Sequence, residues 1–396
     1  MALSTIQIGR IGQAYAKKES TYGTVPALTA AEAFRHKTLT FPGSDVKNKR
    51  TIIEKQQSPF AIAGQRTDGR TTAGLNLNAI LRPSGTINTV PEVDAFLECA
   101  FGSKVNTALS TTVSVGTGAV GGATLASGTG ATVGAPLLIT CPDGKKRVRF
   151  ITAVDTGTGV TTWAPNLPAG QLPADGAAVK LGLLYKLTSG LLLSLSVAHY
   201  LKNTDGTAGL SRCLSGAMID KLSINFDAND DPMITVTGPG KLLDTAGAPA
   251  QPGGFTMVGS QPPSGIAGEF LIGNTAAKIL KLGVDLNNAI KLRNESYGYS
   301  SPEEGFRVGR ADIALGLDMR AESESLLYDL AEAGTNAGVF LQTGFTEGNI
   351  IAVRAPNAEF MVPDTDDPDD EVNFPFKGMA LETSDAALDA LQLALC

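Results

Sequence analysis

Gly309-Arg310-Ala311-Asp312-Ile313-Ala314-Leu315-Gly316-Leu317-Asp318-Met319-Arg320 is the stretch that decides the fold. Ala311, Ile313, Leu315, Leu317 and Met319 fall at every second position, with Asp312, Ala314, Gly316, Asp318 and Arg320 between them. A strand sends successive side chains to opposite faces, so this is a strand with one apolar face and one small or acidic face. A helix would scatter the same apolar residues round its circumference. The stretch has an echo in Gly69-Arg70-Thr71-Thr72-Ala73-Gly74-Leu75-Asn76-Leu77-Asn78-Ala79. Laying Gly69 on Gly309 puts Leu75 on Leu315 and Leu77 on Leu317. Each copy is followed by a helix-like segment that ends in glycine, Glu92 to Gly102 and Glu324 to Gly334. The order predicts two copies of one β-rich unit. Chance recurrence of strand, helix and glycine in a long chain is the alternative.

The composition sets limits. The chain has 396 residues, enough for two or three domains with real cores. Hydrophobic residues make up 43% and charged residues 18%, the balance of a globular protein. The 45 glycines lie largely in Thr, Ser and Val-rich runs, which suits turns between short strands. The net charge of −7 argues against broad adhesion to phosphate backbones. Cys99, Cys141, Cys213 and Cys396 form no CxxC pair, so neither a disulfide framework nor a zinc site is expected. Cys99 lies on the apolar side of a predicted helix and reads as a small buried hydrophobe. The segment from Met1 to Glu19 lacks the continuous apolar run of a signal peptide, and no run approaches a membrane span.

Taken in order, residues 1–33 read as an arm with a turn at Gly23, an extended stop at Pro26 and a capping box at Thr29-Ala30-Ala31-Glu32 that opens a short helix through Arg35. So polar an arm is either frayed or docked on a partner through Tyr15, Tyr22, Val25 and Leu28. Residues 34–108 hold the first organising strand, stopped by Pro83-Ser84-Gly85, and the helix opened by Pro91. Residues 109–182 change composition and show short strands near Pro136–Thr140, Lys146–Ala153 and Val160–Ala164, the pattern of a small inserted β-barrel. Lys145, Arg147 and Arg149 read as a solvated strand face. The first unit resumes over 183–245, with an acidic hairpin turn at Asp227-Ala228-Asn229-Asp230-Asp231. Residues 246–267 are a Pro, Gly, Gln and Ser-rich linker, and 268–396 form the second unit, with an acidic loop at Asp364–Glu371 in the corresponding place.

The chain offers little chemistry. His36 reads as a surface residue and His199 as a structural one, and neither has a ligand-spaced partner. There is no GxSxG elbow, and Gly116-Thr117-Gly118 and Gly157-Thr158-Gly159 lack the lysine and helix of a phosphate loop. The loop Asp364–Glu371 has Pro368 and no glycine at the position an EF-hand needs, so it reads as a solvated loop rather than a calcium site. The expectation is a non-enzyme with no cofactor and no metal.

Glu19-Ser20-Thr21-Tyr22-Gly23-Thr24, two β-units with an intervening helix, and the closing Phe376-Lys377-Gly378-Met379-Ala380 resemble the tail tube, or major tail, proteins of long-tailed bacteriophages. The resemblance covers most of the chain by architecture. It implies tandem β-sandwich or barrel units, each with a flanking helix, that give strands to a continuous barrel round a lumen. It implies a homo-oligomer: rings stacked into a hollow tube in the virion tail, assembled in the host cytoplasm. Other tail proteins (tape measure, terminator, distal tail) would be partners, and DNA would pass without tight binding. Two units in one chain imply trimers, giving a pseudo-hexameric ring. Asp312, Asp318, Asn76 and Asn78 then face the lumen, and Tyr15, Tyr22, Val25 and Leu28 anchor a ring-stacking arm. Without the resemblance, the same strand suits an ordinary sandwich with one wet face. A β-sandwich adhesin or capsid-decorating module that binds a glycan or host surface protein is the rival function.

Overall fold

The computed structural model describes residues 7–43, 49–51, 66–68, 73–190, 192–203, 208–243, 248–254, 261–293, 297, 304–320, 324–363, 373–384 and 388–396. Gly69 to Thr72 of the echo and the acidic loop Asp364–Glu371 lie outside the described residues.

The chain opens with strand β1 (Gln7–Lys18), a 3-10 turn (Ala30–Glu32), β2 (Ala33–Phe34) and β3 (Thr38–Thr40). A hairpin of β4 (Lys49–Thr51) and β5 (Arg66–Asp68) precedes β6 (Ala73–Ile80), helix α1 (Asp94–Phe101) and β7 (Gly102–Val105). The insert holds β8 (Ser110–Thr112), β9 (Gly122–Thr124), β10 (Pro136–Thr140), β11 (Lys146–Val154), β12 (Val160–Ala164) and β13 (Ala178–Leu181). Then come β14 (Leu183–Leu187), β15 (Ser194–Asn203), β16 (Ala208–Met218), β17 (Lys221–Asp227) and β18 (Met233–Leu243). They are followed by β19 (Gly268–Ile272), β20 (Thr275–Ala276) and β21 (Ile279–Asn287). A second hairpin, β22 (Ile290–Arg293) and β23 (Glu304–Arg307), leads to β24 (Asp312–Arg320) and helix α2 (Glu324–Glu332). The chain ends with β25 (Ala337–Thr343), β26 (Ile351–Met361), β27 (Asn373–Leu381) and β28 (Gln392–Leu395).

The protein is mainly β, as its alternation predicts. Among the described residues eighteen strands join in one antiparallel network. Its principal run is β3-β6-β18-β17-β21-β24-β27-β26. Leu75, Leu77, Val236, Ile224, Val284, Leu315, Leu317 and Phe376 point to the buried face of this run. Flanking runs β2-β1-β15-β16, β20-β19-β25 and β7-β14-β28 complete the network, sharing one core with α1 and Leu327 of α2. The expected signals set helix α1. Gly102 takes φ 85 as its C-cap and donates its N–H to the Glu98 carbonyl, and Phe96, Leu97, Cys99 and Phe101 are buried. Glycine is needed there, since a Cβ would lie 2.4 Å from the Thr188 methyl.

The insert is a separate six-stranded sheet in the order β8-β13-β10-β11-β12-β9. The Val113–Leu125 bridge pairs its two end strands, so the pairings close into a small barrel. It leaves and returns through β7 and β14, which pair with each other, and β14 also pairs with β28.

Three expectations give way to closer structure. The segment read as an arm is, from Gln7, strand β1 of the main network, paired with β15 and β2. The Thr29–Glu32 capping box forms, but only a 3-10 turn follows before β2 begins. Arg147 and Arg149 are not solvated: the insert packs its β11 face on the second half of the chain, leaving them 6% and 0% exposed. Arg149 donates to Glu269 at 2.5 Å and lies over the Phe340 ring, and Arg147 is paired with Asp143 at 2.7 Å. Gln342 ties the same contact, accepting from the Val148 N–H at 2.7 Å and donating to the Lys146 carbonyl at 2.9 Å.

Candidate functional site

The side of the principal sheet away from the core is a polar wall. Register places Thr40, Asn76, Thr237, Lys221, Asn287 and Asp312 in one row across six strands. The next row runs Thr38, Asn78, Thr235, Ser223, Asp285, Ala314, Met379 and Glu359. Below them Gly283 faces Gly316, and Lys281 faces both Asp227 and Asp318. All four sequence-predicted wall residues therefore share one face. Asp312 and Asn76 are exposed, and Asp318 and Asn78 are half-buried. A concavity of about 450 Å³ lies in this face, lined by Lys221, Thr235, Thr237, Asp285, Asn287 and Asp312 among others.

The wall's charge is more mixed than one strand reveals. Lys221, Lys281 and Lys377 are exposed among Asp285, Asp312 and Glu359. Single-strand reading found the aspartates but not the lysines, because strand pairing alone brings Lys281 opposite Asp318.

No group of three or more His, Cys, Asp and Glu side chains among the described residues could hold a metal ion. The four cysteines are buried and free. Burial pushes the Cys99 and Cys396 thiols up, and the Cys213 thiol up to about 12, so these are poor thiolates. His36, read as a surface residue, and His199, read as structural, lie together, their ring centroids 5.3 Å apart in an edge-on contact. Burial first, then His36 and Arg212, lowers His199 to about 4, and burial also lowers His36. Both rings are thus neutral near pH 7.

Residues 9–378 match the family described as phage tail tube protein. The chain belongs to the phage tail tube protein family. None of the curated proteins compared with it matches. Membership makes the protein a structural component of a phage tail, one that assembles with itself and with other tail proteins in the virion. Among the described residues no helix is long and apolar enough to cross a membrane.

The segment that first carried the resemblance has a physical role in this tail tube protein. Glu19 is 6% exposed. Its carboxylate accepts from the Ser196 hydroxyl at 2.5 Å, the Ser194 hydroxyl at 2.7 Å, the Gly23 N–H at 2.7 Å and the Gly216 N–H at 2.8 Å. This fastens the end of β1 to β15 and β16. Gly216 has φ 59, and a Cβ there would sit 2.9 Å from the Tyr22 ring, so tyrosine and glycine fit each other. Tyr15 is fully buried, donates its hydroxyl to the Gly254 carbonyl at 2.8 Å and meets the Tyr200 ring edge-on. Val25 and Leu28 pack on the same small core, with Ala33, Ala198 and Cys213. All four anchors are thus seated on their own chain. Sequence reasoning missed Glu19 itself; with strand β1 hidden, the acid before a Tyr-Gly turn was the available signal.

Proposed function

We propose that this chain is a duplicated tail tube subunit, and that three copies close a ring whose wall is the polar face. Such rings stack into a conduit for DNA ejection. The observation that carries the reading is the strand order. Sheet neighbours run β3-β6-β18-β17 and then β21-β24-β27-β26, and the two halves meet where β17 pairs with β21. In each half a strand, a hairpin, a second strand and a helix follow in that order, and the second strand pairs with both the first and a later one. Likewise β1 pairs β2 and β15 as β19 pairs β20 and β25. The repeat therefore reaches back to β1, earlier than the boundary at residue 34 drawn from sequence. The barrel between β7 and β14 is an insertion into the first unit.

An in-chain junction of this kind can recur between chains. Among the described residues β3 pairs with β6 alone, and beyond Ala358 the last residues of β26 pair with β27 alone. Joining the end of one copy to β3 of the next, as β17 joins β21, leaves no free edge once three copies are in place. Tape measure, terminator and distal tail proteins are the partners proposed for the lumen and tube ends, with assembly in the host cytoplasm. Native mass spectrometry and electron microscopy of the purified protein test the reading. Three chains per ring, with six similar lobes round a hole, is the expected result. Rings of six chains, or particles without a central hole, would refute it.

A further inference from the structure

Arg147, Arg149 and Arg354 all lie where the insert packs on the second half of the chain, and only the first two have carboxylate partners. Arg147 is paired with Asp143 and Arg149 with Glu269. Arg354 of β26 makes no ion pair among the described residues. The acid that acts on it, Asp389, is bound instead to the Thr383 N–H and hydroxyl. Register sets Arg354 between Phe340 on β25 and Gln392 on β28, on the face that meets the insert. Its guanidinium lies over the Phe150 ring at 5.5 Å and reaches the Gln392 side-chain oxygen only at 3.4 Å. A ring face and a neutral amide offset a desolvated cation less than a carboxylate does. Burial accordingly lowers the Arg354 pKa. Arg149 adds to the excess, since it is fully buried and its Nη2 has no partner.

Arg354 lines a pocket of about 180 Å³. Pro165 of the insert and Val339, Phe340 and Pro356 of the second half give it apolar walls, and Asn274 lies exposed at its edge on the β19–β20 turn. The Asn274 side-chain oxygen accepts from the Asn166 N–H at 2.8 Å, which leaves its NH2 as a donor. The Asn166 carbonyl in turn accepts from Arg149 Nε at 3.3 Å. The site is thus an apolar pocket at a contact between two parts of the chain, with a guanidinium and an amide as its polar groups.

We propose that this pocket binds a small organic carboxylate with an apolar body, its carboxylate on Arg354 and its body against Pro165, Val339 and Phe340. A guanidinium and a carboxylate can form two parallel charge-assisted hydrogen bonds, which compensate the cation that the protein leaves unpaired. An inorganic anion would supply the charge but leave the apolar walls uncovered. The bound molecule would bridge the insert and the second half. The proposal stands on this contact alone and needs neither the trimer nor the duplication.

Calorimetry of the full chain with benzoate tests it, with benzamide as the uncharged body of the same shape and acetate as the charge without the ring. Benzoate should bind with a Kd of about 1 mM or below, and benzamide and acetate about tenfold more weakly. Arg354→Gln should abolish the preference for benzoate over benzamide and leave the melting temperature unchanged or higher, since it removes an unpaired buried charge. Arg354→Lys keeps the charge without the planar fork and should fall between. Asn274→Ala, on an exposed turn, should also weaken benzoate, and it carries the test should the Arg354 variants fold poorly. Equal binding of benzoate and benzamide, or benzoate binding untouched by both Arg354→Gln and Asn274→Ala, would overturn the proposal. Benzoate held by dispersed chains but excluded from assembled particles would show that a neighbouring copy supplies the carboxylate, which also overturns a free ligand.

Discussion

Glu19 offers a sharp test of how the chain is held together. Its carboxylate takes hydrogen bonds from two hydroxyls and two backbone N–H groups, and Ser196 and Gly216 lie within the interior. Glu19→Ala removes the acceptor and leaves those donors behind. The Ser194 hydroxyl and the Gly23 N–H are near enough to the surface to turn to water. The Ser196 hydroxyl and Gly216 N–H are not. Each stranded buried donor costs about 1–3 kcal/mol, so the variant loses roughly 2–6 kcal/mol. Glu19→Gln keeps the volume but turns an NH2 toward donors, and loses about half as much. Urea denaturation of the unassembled protein measures both. The cycle with Ser196→Ala is the decisive arm: removing both partners should cost less than the two single losses added, because the stranded hydroxyl is gone. A Glu19→Ala variant within about 0.5 kcal/mol of the parent, or a strictly additive cycle, would refute this account of the clasp.

Asn288→Ala should lower stability by about 2–4 kcal/mol in the same assay, since the buried Asn288 amide donates to the Ala100 and Ile219 carbonyls and accepts from Arg307. Glu269→Ala strands Arg149 in the insert contact and should cost about 3–5 kcal/mol, whereas Glu269→Met with Arg149→Met should come close to neutral. Deleting the insert would bare Leu271, Phe340 and Ile350, so the remaining units should lose solubility rather than fold unaffected. The His199 pKa is lowered to about 4 in the folded state, so the unfolded chain binds the proton more readily. Stability from this group is full above about pH 6.5 and falls as the pH drops toward 4; after allowance for solvent screening the loss from pH 7 to 5 is about 1 kcal/mol, and His199→Gln should flatten it in pH-resolved melts. Asp312→Lys with Asp318→Lys should still assemble, because both side chains are on the wet face, but should make DNA release slow and salt-dependent in an ejection assay.

What was legible in the sequence is what one strand or one helix can state alone. The alternation from Ala311 to Met319 was readable because the principal sheet is buried on one side only. Helix α1 was readable because Pro91 and Gly102 mark its ends within a few residues. Strand β1 was hidden by a register shift between Ile8 and Gln13, which breaks its two-residue period, and by polar residues along its length. The buried Arg149 was misread because its partner Glu269 lies 120 residues away. A basic strand looks solvated until something packs on it. His36 and His199 meet only because β15 lies beside the chain's first strands, which no local spacing encodes.

The wall's charge follows the same logic one level up. Taken alone, β24 predicts an acidic surface, since it presents Asp312 and Asp318. Pairing with β21 and β27 adds Lys281 and Lys377 to the same face, and β17 adds Lys221. If the polar face lines a lumen, as proposed, DNA more than about 8 Å from it would sense little of either sign at physiological ionic strength. Close to that face it would meet lysines set among aspartates, with Lys281 directly opposite Asp227 and Asp318. A uniformly basic wall would accumulate phosphate contacts and hold the genome, while a uniformly acidic one would resist its entry. In the proposed ring, a polar face with its signs interleaved would do neither, without any loop or ligand. The alternation that puts leucines in the core is sufficient, provided that adjacent strands differ in the charge they place on the wet side.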